Sequence, residues 1–398
     1  MAKTVDNKIN LLHLVGSLGM GGAEMMLLHH IRALGDKRYK HYVYCFEIDG
    51  PIRELIEKLG VPVIMGPKYS SIKNPIKFAL SLFLLIKSLK SFIKDNRIQV
   101  IQSNSDHSNE LAVLIGKLSG IPALPTIHTT MAFVDKRSNC DLRVYIRKLA
   151  DRVIYRISDQ VIAVSQEIKD IIYQTLRLKE SKILVVKNGI IFDEGTLKPV
   201  KLEGEISSSK NKLKLIAVGR LVPLKGFDIL IKAVAEVVNQ GLDDLLVLIV
   251  GGEKNSSQER LRLQSLIQDL DIENYVKLTG MRNDILELMK SADIFVIPSR
   301  YEGLSVAMIE AMACGLPVIA SNGPGLKGFI NDLQNGLLFN VADHKGLAEC
   351  ILRLAKDKEL RNRLSRGARI SFEKNYDMRK NITPLVALIQ KLNVKTKC

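Results

Sequence analysis

What the sequence lacks already excludes several classes of protein. Tryptophan is absent from the 398 residues, and the five cysteines form no C-x-x-C pair, which argues against a zinc site or a disulfide framework and predicts reduced thiols. The most apolar segment, Ile76 to Ile93, has at most nine uncharged residues in a row, whereas a membrane-spanning helix needs about 20. Met1 to Asn10 lacks the apolar core of a signal peptide, so the sequence predicts a cytoplasmic chain without a membrane span.

The composition is otherwise that of a globular protein, except for its charge. Hydrophobic residues make up 46% and charged residues 25% of the chain, which argues against disorder. The length exceeds what one hydrophobic core usually holds, so we expect two domains. The 58 Lys and Arg residues against 42 Asp and Glu residues give a net charge of +16. This excess favours an anionic partner: a nucleic acid, an acidic membrane surface or a phosphorylated small molecule.

The first half of the chain alternates apolar strand patterns with amphipathic helix patterns. Its first strand leads into a glycine-rich loop, Gly16 to Gly22, and then into a helix that Gly35 is expected to cap. Such alternation is typical of a parallel, doubly wound sheet. The predicted strands of this half are Ile9–Val15, His41–Phe46, Pro62–Met65, Val100–Ser103, Ala123–His128 and Gln160–Val164.

The second half repeats the alternation after a polar segment, Gly195 to Lys212, which predicts a surface loop near a domain junction. The predicted fold class is therefore α/β, with two Rossmann-like doubly wound domains at residues 1–190 and 191–377. An amphipathic helix over about 378–398 could pack back onto the first domain. The predicted strands of the second half are Leu213–Val218, Leu245–Val250, Tyr275–Thr279, Asp293–Pro298 and Leu316–Ala320.

Two cations follow the first strand of the second domain. Gly219 and Arg220 come directly after it, and Lys225 and Gly226 lie five residues further on. Ligands of such sheets gather at the carboxyl ends of the strands, and a guanidinium beside an ammonium suits a diphosphate. Taken alone, a basic pair of this kind is more often two solvated cations of a surface loop.

Two carboxylates bracket a helix after the strand that ends near Pro298. Glu302 stands before the helix, and Glu310 lies eight residues later, about 12 Å along the axis and on the same broad side. Between them the backbone N–H groups of Gly303, Leu304 and Ser305 are available to phosphate oxygens. A nucleoside diphosphate sugar has this length, with hydroxyls at both ends. Alternatively, Glu302 complements the helix dipole and Glu310 is a surface residue, although its apolar helix favours a buried carboxylate that needs a partner.

These segments together resemble glycosyltransferase family 4, a large retaining family of two-domain GT-B fold. Glu302 and Glu310 match its E-x7-E motif. The sequence from the second acid onwards, Glu310 to Ser321, is EAMACGLPVIAS and also matches the family. The loop Gly219 to Gly226 and the segment Gly21 to Glu24 also match the family's glycine loops. The resemblance covers nearly the whole chain and implies two sheets facing each other across a cleft that holds the reaction.

The resemblance also implies roles for individual residues. The residues matching Arg220 and Lys225 hold the donor diphosphate and stabilise the leaving group. Glu310 would bind the ribose hydroxyls, and Glu302 would contact the transferred sugar. The other implied contacts are Gly303 to Ser305 with the sugar or phosphates, Gly21 and Gly22 with the diphosphate, Gly219 with the donor, and His128 with the reacting sugar.

The function implied is a retaining, metal-independent hexosyltransferase that moves a sugar from a UDP- or GDP-sugar to a hydroxyl of a lipid-linked or polysaccharide acceptor, as in capsule, O-antigen or other bacterial cell-surface glycan synthesis. No cofactor is expected beyond this co-substrate. The one D-x-D spelling, Asp269 to Asp271, precedes a strand and so lies at the wrong edge for a ligand.

Two alternatives remain. One is a GT-B nucleotide-sugar epimerase, and the other is a nucleic-acid-binding protein, which the few aromatic residues, 5% of the chain, disfavour.

The first domain carries more of the net positive charge than the second. Residues 1–200 hold 29 basic and 19 acidic residues, a net +10, which leaves +6 for residues 201–398. Between Lys68 and Arg97, seven basic residues and one acid alternate with apolar ones, which predicts either an ordinary amphipathic helix with solvated lysines or a face that docks on an anionic bilayer. Docking would place the protein at the cytoplasmic face of the inner membrane.

Overall fold

The chain divides into two compact units. A computed structural model describes residues 8–19, 21–67, 75–128, 151–196, 212–253, 258–302, 305–323, 325–326 and 328–395. The first unit comprises residues 1–191 together with 378–398, and the second comprises residues 192–377. The sequence placed this boundary between residues 190 and 191.

The first unit contains a seven-stranded parallel sheet with the strand order β3-β2-β1-β4-β5-β6-β7. Its strands are β1 (Ile9–Ser17), β2 (Tyr39–Ile48), β3 (Val63–Met65), β4 (Val100–Ser103), β5 (Ala123–Ile127), β6 (Val161–Ala163) and β7 (Ile183–Val185). Its helices are α1 (Gly22–Leu34), α2 (Ile52–Glu57), α3 (Pro75–Asp95), α4 (Asp106–Ser119) and α5 (Gln166–Leu176), with a further helical stretch over residues 151–157. Gly35 ends α1 with a positive φ of 67°, as its glycine predicts.

The second unit contains a six-stranded parallel sheet with the strand order β10-β9-β8-β11-β12-β13. Its strands are β8 (Leu213–Val218), β9 (Leu245–Val250), β10 (Val276–Gly280), β11 (Ile294–Ile297), β12 (Val318–Ser321) and β13 (Gly336–Phe339). Its helices are α6 (Phe227–Asn239), α7 (Gln258–Asp269), α8 (Ile285–Lys290), α9 (Val306–Ala313), α10 (His344–Lys356) and α11 (Lys358–Asn375).

The last two helices, α12 (Met378–Asn381) and α13 (Thr383–Lys395), belong to the first unit. The backbone N–H of Met378 donates to the carbonyl of Ile190, and Gln99 donates to the side chain of Asn393 at 2.6 Å. The apolar side of this segment, including Ile382, Leu385 and Ile389, is buried. Burial of that side is what fixes the segment on the first unit.

Both sheets are covered on both sides, which explains the apolar runs that made their strands recognisable. Every residue of β9 is buried, and β4, β11 and β12 are buried throughout as well. The fold class predicted from the sequence, α/β with two Rossmann-like parallel sheets, is confirmed. No helix among the described residues is long and apolar enough to span a membrane.

The sequence missed two edge strands and placed the start of another strand too early. β7 has only three residues, and β13 begins with a glycine, which weakens the usual strand signal. The strand predicted from Leu316 begins instead at Val318, because Gly315 with φ of 77° and Pro317 keep the chain in a turn. Most of the polar segment 195–212 lies outside the described residues. Its first two residues belong to a short 3-10 helix, Glu194–Thr196.

Candidate active site

The strand order of the second sheet brings two separate loops together. β8 pairs with β9 on one side and with β11 on the other, so the direction of winding reverses between β8 and β11. In doubly wound sheets ligands bind at this position, outside the carboxyl ends of the strands. The loop after β8 carries Arg220 and Lys225, and the loop after β11 carries Glu302.

Lys225 and Glu302 form an ion pair at this position. Lys225 ends a short 3-10 helix, Pro223–Lys225, and its ammonium donates to the Glu302 carboxylate. The same carboxylate oxygen accepts a hydrogen bond from the Ser299 hydroxyl at 2.7 Å. The side chain of Glu302 is only 7% exposed and that of Lys225 is 20% exposed, so a buried carboxylate is held by one cation and one hydroxyl.

A second ion pair ties the two loops together. The Arg300 guanidinium donates to both carboxylate oxygens of Asp228, at 2.9 and 2.7 Å, and also to the carbonyl of Pro223 at 2.6 Å. The backbone N–H of Arg300 donates to the carbonyl of Leu224. The Arg300 interactions hold the pKa of Asp228 below its ordinary value although burial opposes the shift. This arrangement fixes the 3-10 helix of Lys225 against the loop of Glu302.

Of the two glycines beside these cations, Gly226 is required by close packing. Gly226 has a φ of 68°, and a side chain there would overlap the carbonyl of Pro298. At Gly219 a Cβ would lie 3.4 Å from the side chain of Lys225. The predicted donor contact of Gly219 therefore stays a prediction, whereas its packing against Lys225 is observed.

The helix that carries the second acid starts with a capped, buried turn. Ser305 is buried, and its hydroxyl accepts from the backbone N–H of Met308 at 3.4 Å. Gly303 and Leu304, which the sequence assigned to the same phosphate-binding turn, lie outside the described residues. Their predicted contacts are therefore neither supported nor contradicted by the structure.

Glu310 lies in the buried helix α9, and its side chain makes no hydrogen bond or ion pair with the described residues. The residue Glu310 is partly exposed, yet burial raises the pKa of its carboxyl group to about 7. The cause is desolvation, which disfavours the ionised form. The side chain is thus available to accept hydrogen bonds from an external partner.

Arg220 and His128, two other predicted site residues, lie in different units. Arg220 follows β8 and is exposed, with no ion pair among the described residues. His128 follows β5 in the first unit, and burial lowers the pKa of its imidazole to about 4. Its Nε2 is buried without a hydrogen-bond partner in the described chain. His128 is therefore neutral at physiological pH, and its part in a reaction stays a prediction of the resemblance.

Gly21 and Gly22, the other predicted first-domain residues, form the start of α1 in the first unit. Gly21 is the N-cap, with φ of −110° and ψ of 167°, and Gly22 is the first helical residue. The carboxylate of Glu24 folds back over Gly21. The structure thus places an acidic group where the resemblance implies a diphosphate contact.

Sequence reasoning missed Ser299, Arg300 and Asp228. Ser299 and Arg300 stand within three residues of Glu302, so their proximity was a signal that could have been used. Asp228 sits in the first turn of α6, where an acid is usually explained by the helix dipole. Its pairing with Arg300, 72 positions away, depends on the strand order.

Two Rossmann-like parallel sheets, with charged loops at the reversal point of the second, are the architecture of GT-B glycosyltransferases. The model for Glycosyltransferase Family 4 matches residues 20–194, and the model for Glycosyl transferases group 1 matches residues 201–371. The chain belongs to glycosyltransferase family 4.

Relatives cover almost the whole chain. The UDP-Gal:alpha-D-GlcNAc-diphosphoundecaprenol alpha-1,3-galactosyltransferase of Escherichia coli is 24% identical over 386 residues, 96% of each chain. An N,N'-diacetylbacillosaminyl-diphospho-undecaprenol alpha-1,3-N-acetylgalactosaminyltransferase of Campylobacter jejuni is 27% identical and covers 89% of this chain and 92% of its own. The crystal structure of HepE from Anabaena in complex with UDP superposes with a TM-score of 0.76 at 22% identity, over 96% of this chain and all of that one, which shows a shared fold.

Proposed function

We propose that this glycosyltransferase is a retaining, metal-independent enzyme that moves a sugar from a UDP- or GDP-sugar to a hydroxyl of a lipid-linked or growing cell-surface glycan. The observation that carries the proposal is the ion pair of Lys225 and Glu302 at the reversal point of the second sheet, where Arg220 also follows β8. UDP in the HepE structure and the lipid-linked acceptors named for the two relatives support the substrate classes.

The charges around β8 and β11 suit a diphosphate leaving group. In the transfer, a bond forms between the acceptor oxygen and the anomeric carbon while the bond from that carbon to the β-phosphate oxygen breaks. The acceptor proton passes to the departing phosphate. Arg220 and Lys225 would stabilise the charge that develops there, so preorganised cations take the part that a divalent metal plays in other transferases. Glu310, whose side chain has no partner among the residues that the structure describes, would accept the ribose hydroxyls.

Sugar transfer is tested with purified protein, a panel of UDP- and GDP-sugars, and an undecaprenyl-diphosphate-linked N-acetylhexosamine as acceptor. We expect a glycosylated lipid, equal turnover with and without EDTA, and an α-linked product from an α-linked donor by NMR. Inversion of the anomeric configuration contradicts retention, and loss of turnover in EDTA contradicts metal independence. An epimerase would instead convert the donor into a new nucleotide sugar when no acceptor is present.

The first unit also carries a face suited to the membrane that holds such an acceptor. On α3, four apolar residues point outward, with exposures from 47% to 80%: Ile76, Leu80, Phe83 and Leu84. The opposite side of the helix, including Leu85 and Leu89, is buried in the core. Lys77, Lys87 and Lys90 are exposed along the same helix. Apolar side chains inserted at a bilayer surface with lysines near anionic headgroups make a peripheral docking helix.

Vesicle flotation tests this contact. We expect co-flotation with phosphatidylglycerol vesicles at low salt but not with phosphatidylcholine vesicles. Replacing Lys77, Lys87 and Lys90 with Glu should weaken binding at least tenfold, since each cation near the surface contributes about 1 kcal/mol. Lys232, Lys356 and Lys358, exposed in the second unit, provide a charge-matched Glu control that should bind normally. Equal loss in both triple variants, or no flotation of the wild type, would show that α3 is not the docking face.

A further inference from the structure

A row of polar side chains crosses the interior of the first unit between its sheet and α1. Gln102 of β4 pairs in register with Leu124 of β5, and its amide nitrogen lies 3.0 Å from Nδ1 of His30 on α1. Side chains alternate between the two faces of a strand, so Thr126 on β5 and His128 directly after it lie on the face of Gln102 as well. The row therefore leads through the interior to the carboxyl end of β5.

Each side chain of this row has a buried polar atom without a hydrogen-bond partner among the described residues. These atoms are Nε2 of His30, Oε1 of Gln102, Oγ1 of Thr126 and Nε2 of His128. Leaving a buried polar atom unpaired is costly, and here four such atoms come from three neighbouring parts of one layer. Internal water makes about three hydrogen bonds to groups of this kind, so a shared water would satisfy them.

The neighbours of these atoms decide which of them donate and which accept. Burial lowers the pKa of His30 to about 3, so its ring is neutral and carries one proton. An amide nitrogen only donates, so Nδ1 of His30 accepts from Gln102 and the proton of the ring is on Nε2. Water between the four side chains thus accepts from His30 and from the hydroxyl of Thr126. Its own hydrogens are then available to Oε1 of Gln102 and Nε2 of His128.

We propose that His30, Gln102 and Thr126 form an internal water-binding site whose water donates to Nε2 of His128 and holds that ring in its Nδ1–H tautomer. His30 is then a positioning residue, because it orients the water and the water fixes the nitrogen of His128 that carries the proton. The inference rests on the proposed function only for its effect on turnover, since the contact of His128 with the reacting sugar is implied by the family resemblance.

A second pair of buried imidazoles in the same unit provides a contrast. Nε2 of His41 lies 2.9 Å from the carbonyl oxygen of Gly35, and its Nδ1 lies 3.0 Å from Nε2 of His13. A carbonyl only accepts, so His41 carries its proton on Nε2 and accepts from His13. Both nitrogens of His41 are therefore paired with protein groups. Replacing His41 removes a buried imidazole without removing a group that faces the proposed water.

The first test observes the tautomer of His128 directly. In protein labelled with ¹⁵N-histidine, long-range ¹H–¹⁵N spectra at neutral pH distinguish protonated from unprotonated ring nitrogens, and His128→Gln identifies the signals of that ring. We expect the Nδ1–H form of His128 in the wild type and a mixture of tautomers in His30→Leu. His41→Leu is the matched control and should leave the His128 signals unchanged. An Nε2–H form in the wild type, or signals that His30→Leu does not alter, would overturn the proposal.

The second test addresses the water without replacing a histidine. Thr126→Val keeps the shape of the side chain and removes only the hydroxyl, so the fold should be retained. Magnetic relaxation dispersion of water nuclei, which counts long-lived internal water, should show a smaller count in this variant than in the wild type. Equal counts in the two proteins would mean that Thr126 does not bind internal water, and the proposed site would be wrong.

Turnover connects the site to the reaction. In His30→Leu we expect kcat for sugar transfer to fall at least about fivefold with the KM of the donor unchanged, because a misoriented group slows the reaction step rather than donor binding. His30→Gln places an amide donor near the position of Nε2 and should restore both the tautomer and most of kcat. A changed tautomer with normal turnover would confirm the water site and contradict the part of His128 in the proposed transfer.

Discussion

Glu310 is a carboxyl group whose protonation state depends on its surroundings. Its helix α9 is packed on nearly all sides, and desolvation raises the pKa of Glu310 to about 7, with no cation of the described residues opposing the shift. Near neutral pH the group therefore exists in both forms. Only the ionised form accepts hydrogen bonds at both oxygens, so a ribose contact through Glu310 would strengthen as the proton leaves.

Nucleotide binding should accordingly depend on pH through this residue. We expect the affinity for UDP to rise as the pH increases through about 7, and the rise to be absent in Glu310→Gln. Calorimetric titrations of both proteins between pH 6 and pH 8.5 make the comparison, and the variant corrects for titration of UDP itself. A pH dependence of the same size in both proteins would show that Glu310 does not contribute.

Lys225 and Glu302 depend on each other before any donor arrives. Lys225→Ala should lower kcat/KM at least tenfold, because it removes the cation proposed to bind phosphate and leaves Glu302 buried with the Ser299 hydroxyl as its remaining partner among the described residues. Steady-state kinetics test this, with Lys232→Ala as the control and circular dichroism to verify folding. Activity near that of the wild type would show that Lys225 is not part of the site.

At the scale of elements, the site depends on how two loops are joined. The loop after β8 and the loop after β11 meet through the Arg300 guanidinium, which binds Asp228 at two points and the carbonyl of Pro223. Lys cannot reproduce this fork, because an ammonium offers no planar pair of donors. Arg300 is in this view a positioning residue for Lys225 and Glu302.

The coupling between Arg300 and Asp228 should be measurable in UDP binding. Arg300→Met and Asp228→Asn should each weaken UDP binding. The double variant should lose less binding free energy than the two single variants together. The coupling should be on the order of 1 kcal/mol, because Arg300 is partly exposed. Arg300→Lys should rescue little. Strictly additive losses would mean that the two side chains act independently.

At the scale of the whole molecule, buried histidines set the first unit apart. Among the described residues of that unit, burial lowers the pKa of five imidazoles, because their protonated forms would be poorly solvated in the interior. The five residues are His13, His29, His30, His41 and His128. His13 contacts His41 at 3.0 Å, and His30 contacts Gln102 at 3.0 Å, so several of these rings also hydrogen-bond in the interior.

Acid should therefore destabilise the fold well above the range in which carboxylates titrate. The folded-state pKa values lie below the unfolded value near 6.5, so the unfolded chain binds more protons and the stabilisation is lost as pH falls from about 6.5 towards 3. We expect Tm, followed by circular dichroism, to drop between pH 7 and pH 5, and His30→Gln to flatten that drop. A Tm that is constant over this range would contradict the prediction.

The sequence predicted the central strands of both sheets, which are largely buried. Val100–Ser103, Leu213–Val218 and Leu245–Val250 coincide with β4, β8 and β9, because a parallel sheet covered on both faces requires continuous apolar runs. The short edge strands β7 and β13 gave no such signal. The residues after β8 and β11 were recognisable as site candidates for the same reason, since ligands bind where buried parallel strands end.

The sequence by itself therefore determined the α/β alternation, the family and the residue types at the ligand edge. Only the tertiary structure decided which charges meet. Lys225 reaches Glu302 across 77 positions, and Arg300 reaches Asp228 across 72, because β11 lies next to β8. It also decided that His30 of α1 meets Gln102 of β4 in the interior. Strand order is a long-range packing outcome that no local pattern encodes, and it sets which side chains are paired and which are left for a ligand.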